Sequence, residues 1–183
     1  MNAKRLGEVM QIRGQTRIEE IRFLAALAQA APHDGAIVDL GTYHGRSAAA
    51  LCEAVGGRGR RIVTIDDYSC AEATGPRPTR EEVWQTMALW GYEPRILDAD
   101  SRIVPAGIDR VALLLVDTKH VRLQFDAEMT AWLPLVIKGG IVACHDFGSP
   151  TWTEMTGAIT AWLGKWERIG LVRRLIAFRK GAA

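Results

Sequence analysis

Apolar residues recur at helical spacing in the segment RIEEIRFLAALAQAA, where Ile18, Ile21, Leu24, Ala25, Leu27 and Ala28 form one stripe. Pro32 and the Asp34-Gly35 pair end it. The pattern then changes to short apolar runs at 36–40, 61–66, 94–97, 111–116 and 140–144, which predict strands. Amphipathic stretches at 47–55, 80–89, 122–133 and 151–163 predict helices among them. Runs that are apolar throughout, rather than alternating, predict a parallel sheet covered on both faces. The closing segment WERIGLVRRLIAFRK reads as two short strands turning near Gly170, an antiparallel ending. Two helix starts are chemically marked. Thr79 with Glu82 has capping-box spacing, and Ser149-Pro150 offers an N-cap followed by proline. Residues 1–33 are expected to form an N-terminal helical segment. The Gly- and Pro-punctuated stretch 69–79 is expected to be a flap beside the site.

In an open α/β sheet, ligands bind outside the carboxyl ends of the strands, near the switch in strand order. VDLGTYHGRS, residues 38–47, follows the first strand. Gly41 and Gly45 allow tight turning and close approach, and the next helix offers unbonded N–H groups there. Asp39 is placed to accept a hydrogen bond from an ammonium group or to hold the loop. Asp66 ends the second strand, 25 positions beyond Gly41, where a carboxylate can accept from a ribose diol. Asp100 and Ser101, in DADS after the third strand, can address the edge of a base. The three loops together describe a site for an adenosine-like ligand.

VDLGTYHGRS, IVTIDDY, ADS and LLLVDTKH…WLPLVIKGGIVACHDF resemble the class I S-adenosylmethionine-dependent methyltransferases, closest to small O-methyltransferase-like members of the methyltransferase domain 24 kind. The resemblance covers residues 36–147. It implies a Rossmann-like α/β fold: a seven-stranded, mostly parallel sheet with an antiparallel C-terminal strand and helices on both faces, in a single domain. It implies a cofactor site of Asp39, Gly41, Thr42, Tyr43, Gly45, Ser47, Asp66, Asp67, Asp100, Ser101 and Asp117. Within it, Asp39, Gly41 and Gly45 surround the methionine part, Asp66 meets the ribose, and Asp100 and Ser101 lie by the adenine. The chain departs from the family pattern at Thr118 and Lys119, in VDTKH, and at Ala99. A dinucleotide site fits less well, because GTYHG has three residues between its glycines and no third glycine follows.

The fourth and fifth strands end at Asp117 and at His145-Asp146, on one rim of such a sheet. Their ligand chemistry suits Mg²⁺ or another divalent cation held by Asp117, His145 and Asp146, which could lower the pKa of a substrate hydroxyl. Strand-terminal carboxylates also cap turns, and His145 could simply bond a neighbouring loop. Asp117, His120 and His145 form the candidate catalytic set, with His120 as general base or as a cap for the following helix. The expected reaction is methyl transfer from S-adenosylmethionine to the hydroxyl of a saccharide or secondary metabolite. Two rivals stand beside it: a non-catalytic adenosyl-ligand-binding domain, and a metal-dependent enzyme of the same fold with other chemistry.

Composition narrows the partners. With 183 residues, 48% of them hydrophobic, the chain can build one substantial core. Its 23 basic and 21 acidic residues are mixed along the length, so nucleic acid and membrane surfaces are not expected partners. The longest apolar runs fall far short of the roughly 20 residues of a membrane span. Cys52, Cys70 and Cys144 form no CxxC pair, which fits a reduced, cytoplasmic protein. The expected partner is a small-molecule substrate, with a homo-oligomer able to complete the pocket.

Overall fold

Two helices, α1 (Ala3–Gln11) and α2 (Ile18–Ala30), precede the first strand, β1 (Ala36–Leu40), in the computed structural model, which describes residues 3–56, 59–69 and 76–181. The sequence stripe marked only α2. Yet α1 also buries one face, setting Leu6, Val9 and Ile12 into the same cluster as Ile21 and Leu24. The chain continues as α3 (Arg46–Val55), β2 (Ile62–Asp66), α4 (Arg80–Leu89), β3 (Arg95–Asp98), β4 (Val111–Val116) and α5 (Arg122–Trp132). It ends with β5 (Val136–Cys144), α6 (Thr153–Leu163), β6 (Glu167–Val172) and β7 (Leu175–Arg179).

The seven strands lie in the order β3-β2-β1-β4-β5-β7-β6. β1 to β5 pair in parallel, and β7 is antiparallel to both β5 and β6, so β7 alone runs against the rest. Successive side chains of a strand point to opposite faces, and two clusters divide accordingly. Ile37, Leu113, Ile141 and Ala177 pack under α1, α2, α3 and α4, while Val38, Leu114, Val142 and Phe178 pack under α5 and α6. β1 and β4 are therefore buried along their whole length, which is why VALLLV reads as an unbroken apolar run and AIVDL is interrupted only by the buried Asp39.

Three local expectations need correction. The β6–β7 turn is at Arg173-Arg174, and Gly170 lies within β6 at an irregularity in pairing. A Cβ there would come 2.6 Å from the Phe23 ring, so this glycine serves packing against α2 and not turning. α6 begins at Thr153, after the Ser149-Pro150 pair. Ser149 is buried, and its Oγ lies 3.4 Å from the Trp152 amide, a long contact that organises the approach to the helix. β5 starts at Val136, four residues before the expected position. The Thr79–Glu82 capping box forms, with the Glu82 amide donating to Thr79 Oγ1 at 3.2 Å and the Thr79 amide donating to Glu82 Oε2 at 2.7 Å. Most of the expected flap, residues 70–75, lies outside the described residues, as does Cys70. No described helix is long and apolar enough to cross a membrane.

Candidate active site

Strand order reverses between β1 and β4, and the loop after β1 passes over that point. Gly41 has φ +96, and a Cβ on it would lie 1.8 Å from the Asp117 carbonyl oxygen. Gly45 has φ +91, and a Cβ there would meet Met87 of α4 at 2.8 Å. Gly41 is thus required by a backbone crossing, and Gly45 by its left-handed conformation. Gly41, Thr42, Tyr43 and Ser47 line a cleft of about 1660 Å³, whereas Gly45 and Asp39 do not.

Asp39 is fully buried beneath the loop. Its Oδ2 accepts from Ser47 Oγ at 2.9 Å and Thr64 Oγ1 at 3.1 Å, while Oδ1 has no partner. Burial pushes its pKa up to about 7 against the opposing pull of the two hydroxyls. Of the two roles open to Asp39 in the sequence, holding the loop is the one the geometry displays.

Asp66 lines the cleft and organises both neighbouring turns. Its carboxylate accepts from the Tyr43 amide and the Tyr68 amide, each at 2.8 Å. Tyr43 and Tyr68 both have positive φ, a conformation these two bonds help hold. Burial keeps the Asp66 pKa above the ordinary carboxylate range despite them. Asp67 also lines the cleft and pairs with Lys119 at 3.0 Å. Asp100 turns away from it: its carboxylate takes the Arg102 guanidinium at 2.5 Å and the Arg102 amide at 2.9 Å. Ser101 does reach the cleft, and donates to Glu128 Oε1 at 2.6 Å.

Glu128 explains one of the departures in VDTKH. This buried carboxylate also accepts from Thr118 Oγ1 at 2.9 Å and Gln124 Nε2 at 3.0 Å, so Thr118 ties the β4 loop to α5. Lys119, the other departure, ties the same loop to Asp67. The sequence carries a signal for Glu128 that its residue type obscures: it sits three positions after Phe125 and four before Trp132, on the buried stripe of α5.

The second constellation forms where β4 and β5 end side by side, the Asp117 amide bonding Leu40 O and the His145 amide bonding Val116 O. His120 Nε2 lies 2.7 Å from Asp146 Oδ2 and 3.9 Å from Asp117 Oδ1. Nε2 is buried and meets the two carboxylates as charged neighbours, without a formed hydrogen bond. His145 Nδ1 lies 2.9 Å from Asp146 Oδ2 and 3.5 Å from Asp117 Oδ1, and its Nε2 is 3.3 Å from Glu20 Oε1. Burial opposes protonation of both rings, but Asp117 and Asp146 outweigh it: His120 rises to about 9, and His145, with Glu20 added, to about 11. Asp146 is held well below the carboxylate range, burial being outweighed by the two imidazoles. The side chains whose ligand atoms converge within 4.8 Å are Asp117, His120 and Asp146. His145, also expected in that set, turns Nδ1 to Asp146 and Asp117 and Nε2 to Glu20. Trp152 stacks on the His120 ring, with centroids 4.6 Å apart and planes 16° apart.

Residues 38–147 match the family described as Methyltransferase domain, well over half of the chain. The chain belongs to this methyltransferase family. Its fold is shared with the O-methyltransferase NovP, at a TM-score of 0.73 and 17% identity over 90% of this chain and 81% of that one. The calicheamicin methyltransferase CalS11 aligns at 0.68 and 16%, over 99% and 81%. The methyltransferase PaMTH1 of Podospora anserina, solved with S-adenosylhomocysteine bound, aligns at 0.67 and 12%, over 100% and 89%. No curated protein sequence matches. The methyltransferase domain thus has the doubly covered sheet and reversed C-terminal strand that its motifs implied.

Proposed function

We propose that this protein transfers a methyl group from S-adenosylmethionine to an oxygen of a small-molecule acceptor. One observation carries the reading: Asp66 and the glycine loop line the same cleft as Asp117, His120, His145 and Asp146. That puts a candidate adenosyl site beside a cluster able to take a proton. The residues fit the donor. Asp66 presents a carboxylate where a ribose diol could donate to it, and the unpartnered, buried Oδ1 of Asp39 lies beneath the loop expected to meet the methionine ammonium.

The sulfonium is an activated donor, so the acceptor oxygen displaces it in line, forming O–C as S–C breaks, and needs only alignment and loss of its proton. His120 is the group to receive that proton. With its pKa near 9 the ring is protonated at neutral pH in the free protein. A positive charge arriving beside it disfavours that form and lets the imidazole act as a base. Asp117 and Asp146 stabilise the ring once charged, while Trp152 fixes its plane.

A divalent cation is a second reading, favoured by the converging donors of Asp117, His120 and Asp146. Two carboxylates with an imidazole suit a Mn²⁺- or Mg²⁺-class ion, and such an ion would lower the pKa of an acceptor hydroxyl.

Calorimetric titration of S-adenosylhomocysteine into the wild type and Asp66→Asn, first in EDTA and then in excess Mn²⁺, tests both. Asparagine can accept only one of the two amides now shared by Asp66 and carries no charge, so affinity should fall about 10- to 100-fold. Failure of the wild type to bind under either condition refutes the methyl-transfer reading. A Mn²⁺ isotherm that is identical in Asp146→Asn removes the cation.

A further inference from the structure

Beyond the glycine loop and the strand ends, the cleft wall is completed by the α1–α2 connection and the β6–β7 turn. Arg17, Arg46, Arg173 and Arg174 line it there. One carboxylate stitches the two segments together: Glu20 Oε2 accepts from the Arg17 amide at 2.8 Å, and Oε1 accepts from the Arg174 amide at 3.0 Å. Arg46 fastens the first segment further, donating to the carbonyls of Ile12 at 2.7 Å and Thr16 at 2.8 Å. The arginines are therefore carried by a braced rim.

Their charge is not balanced from within. Arg46 bonds carbonyls, not carboxylates, and its pKa is depressed by burial and by the neighbouring charge of Arg17. Among the described residues Arg17 and Arg173 form no ion pair, and Arg174 reaches only Asp146 Oδ1, at 3.8 Å. The acidic groups of the cleft are engaged elsewhere: Asp66 with two amides, Asp67 with Lys119, Asp117 and Asp146 with the histidines, Glu20 with His145 and the two rim amides. Arg173 also occupies a left-handed conformation, φ 53, in a two-residue turn where glycine, asparagine or aspartate would be relaxed. A strained arginine at a cleft mouth points to a use for its side chain.

We propose that the acceptor carries an anionic group, a phosphate ester or a carboxylate, which Arg17, Arg173 and Arg174 hold at the rim while its hydroxyl reaches the Asp117–His120–Asp146 cluster. This rests on the methyl-transfer reading. Arg174 spans the two ends, since its guanidinium approaches Asp146 while its amide is fixed to Glu20. Guanidinium forks match the planar or tetrahedral oxygens of such groups, and no other described part of the cleft offers a comparable set of cations so sparsely paired with carboxylates.

The test uses inorganic pyrophosphate and citrate as probes, titrated into the full chain in EDTA at constant ionic strength, with and without saturating S-adenosylhomocysteine. Arg173→Asn is the decisive variant, because asparagine tolerates the left-handed turn and the fold should be at least as stable by thermal melting. The expected result is saturable binding of at least one probe, weakened tenfold or more in Arg173→Asn and further in Arg17→Gln/Arg173→Asn, with S-adenosylhomocysteine affinity unchanged. Preference for pyrophosphate assigns a phosphate ester, and preference for citrate a carboxylate. Binding of neither probe, or equal binding by wild type and variants, overturns the anionic acceptor while the S-adenosylhomocysteine isotherm still supports methyl transfer. Arginine-dependent probe binding in a protein that does not take S-adenosylhomocysteine overturns the acceptor assignment from the other side.

Discussion

Substituting Gly41 by alanine should disable this protein by a route separable from ordinary backbone strain. Alanine at positive φ costs about 1 kcal/mol wherever it is placed. Gly107 has φ +83, and a Cβ added to it would meet nothing within 4 Å, so Gly107→Ala should show that cost alone. For a chain of this size it corresponds to a melting decrease of roughly 2–4 °C. At Gly41 the new methyl would lie 1.8 Å from the Asp117 carbonyl, against about 3.0 Å for the tightest real contact, so roughly 1.2 Å must be recovered. That neighbour is backbone and not the end of a flexible side chain, and its residue is joined to β1 by the Asp117 amide bonding Leu40 O at 2.9 Å. β1 and β4 must part at the switch point, and we expect a loss above about 4 kcal/mol, with melting lowered by on the order of 10 °C or soluble protein lost. Scanning calorimetry of the two variants beside the wild type measures the difference. Melting temperatures for Gly41→Ala and Gly107→Ala within about 2 °C of one another would mean the crossing is not the constraint described.

Asp39→Asn should change how stability depends on pH. The folded-state pKa of Asp39 is raised from 3.8 to about 7, so between those values the folded protein keeps a proton that the unfolded chain has released. The contribution of Asp39 to wild-type stability therefore falls as pH rises across that window, by at most ~4 kcal/mol, and loses nothing further above it. Melting curves of wild type and variant that run parallel from pH 4 to 7 would contradict this. Trp152→Ala removes the indole stacked on His120, which favours the charged ring by about 0.5–1 kcal/mol, and should lower the His120 pKa in metal-free protein. An unchanged or higher value in proton NMR of the imidazole would sink that role. Arg46→Ala frees the carbonyls of Ile12 and Thr16 and should speed limited proteolysis between α1 and α2 several-fold, with the core still folded. Proteolysis at the wild-type rate would show that the rim is held by other means.

The two departures at Thr118 and Lys119 bear on whether the site is intact. Each side chain makes a specific bond beyond its own loop, to Glu128 and to Asp67. The loop between Asp117 and His120 is thereby tied to α5 on one side and to the end of β2 on the other. It holds the imidazole where Asp146 and Trp152 can reach it.

Much of this architecture follows from the sequence by itself. VALLLV and AIVDL announce strands buried on two faces, Thr79 and Glu82 announce a helix start, and DLGTYHG marks a loop over a sheet end, because each signal arises within a few residues of the chain. What touches those residues is decided elsewhere. The partner of Gly41 is a carbonyl 76 positions away, and Glu20 joins its amide neighbour Arg17 to Arg174, 154 positions on. Asp100 and Ser101 are adjacent in the sequence, but one faces Arg102 and the other the cleft. Only tertiary structure decides such matters, since strand order and register determine which strand ends, loops and helices meet.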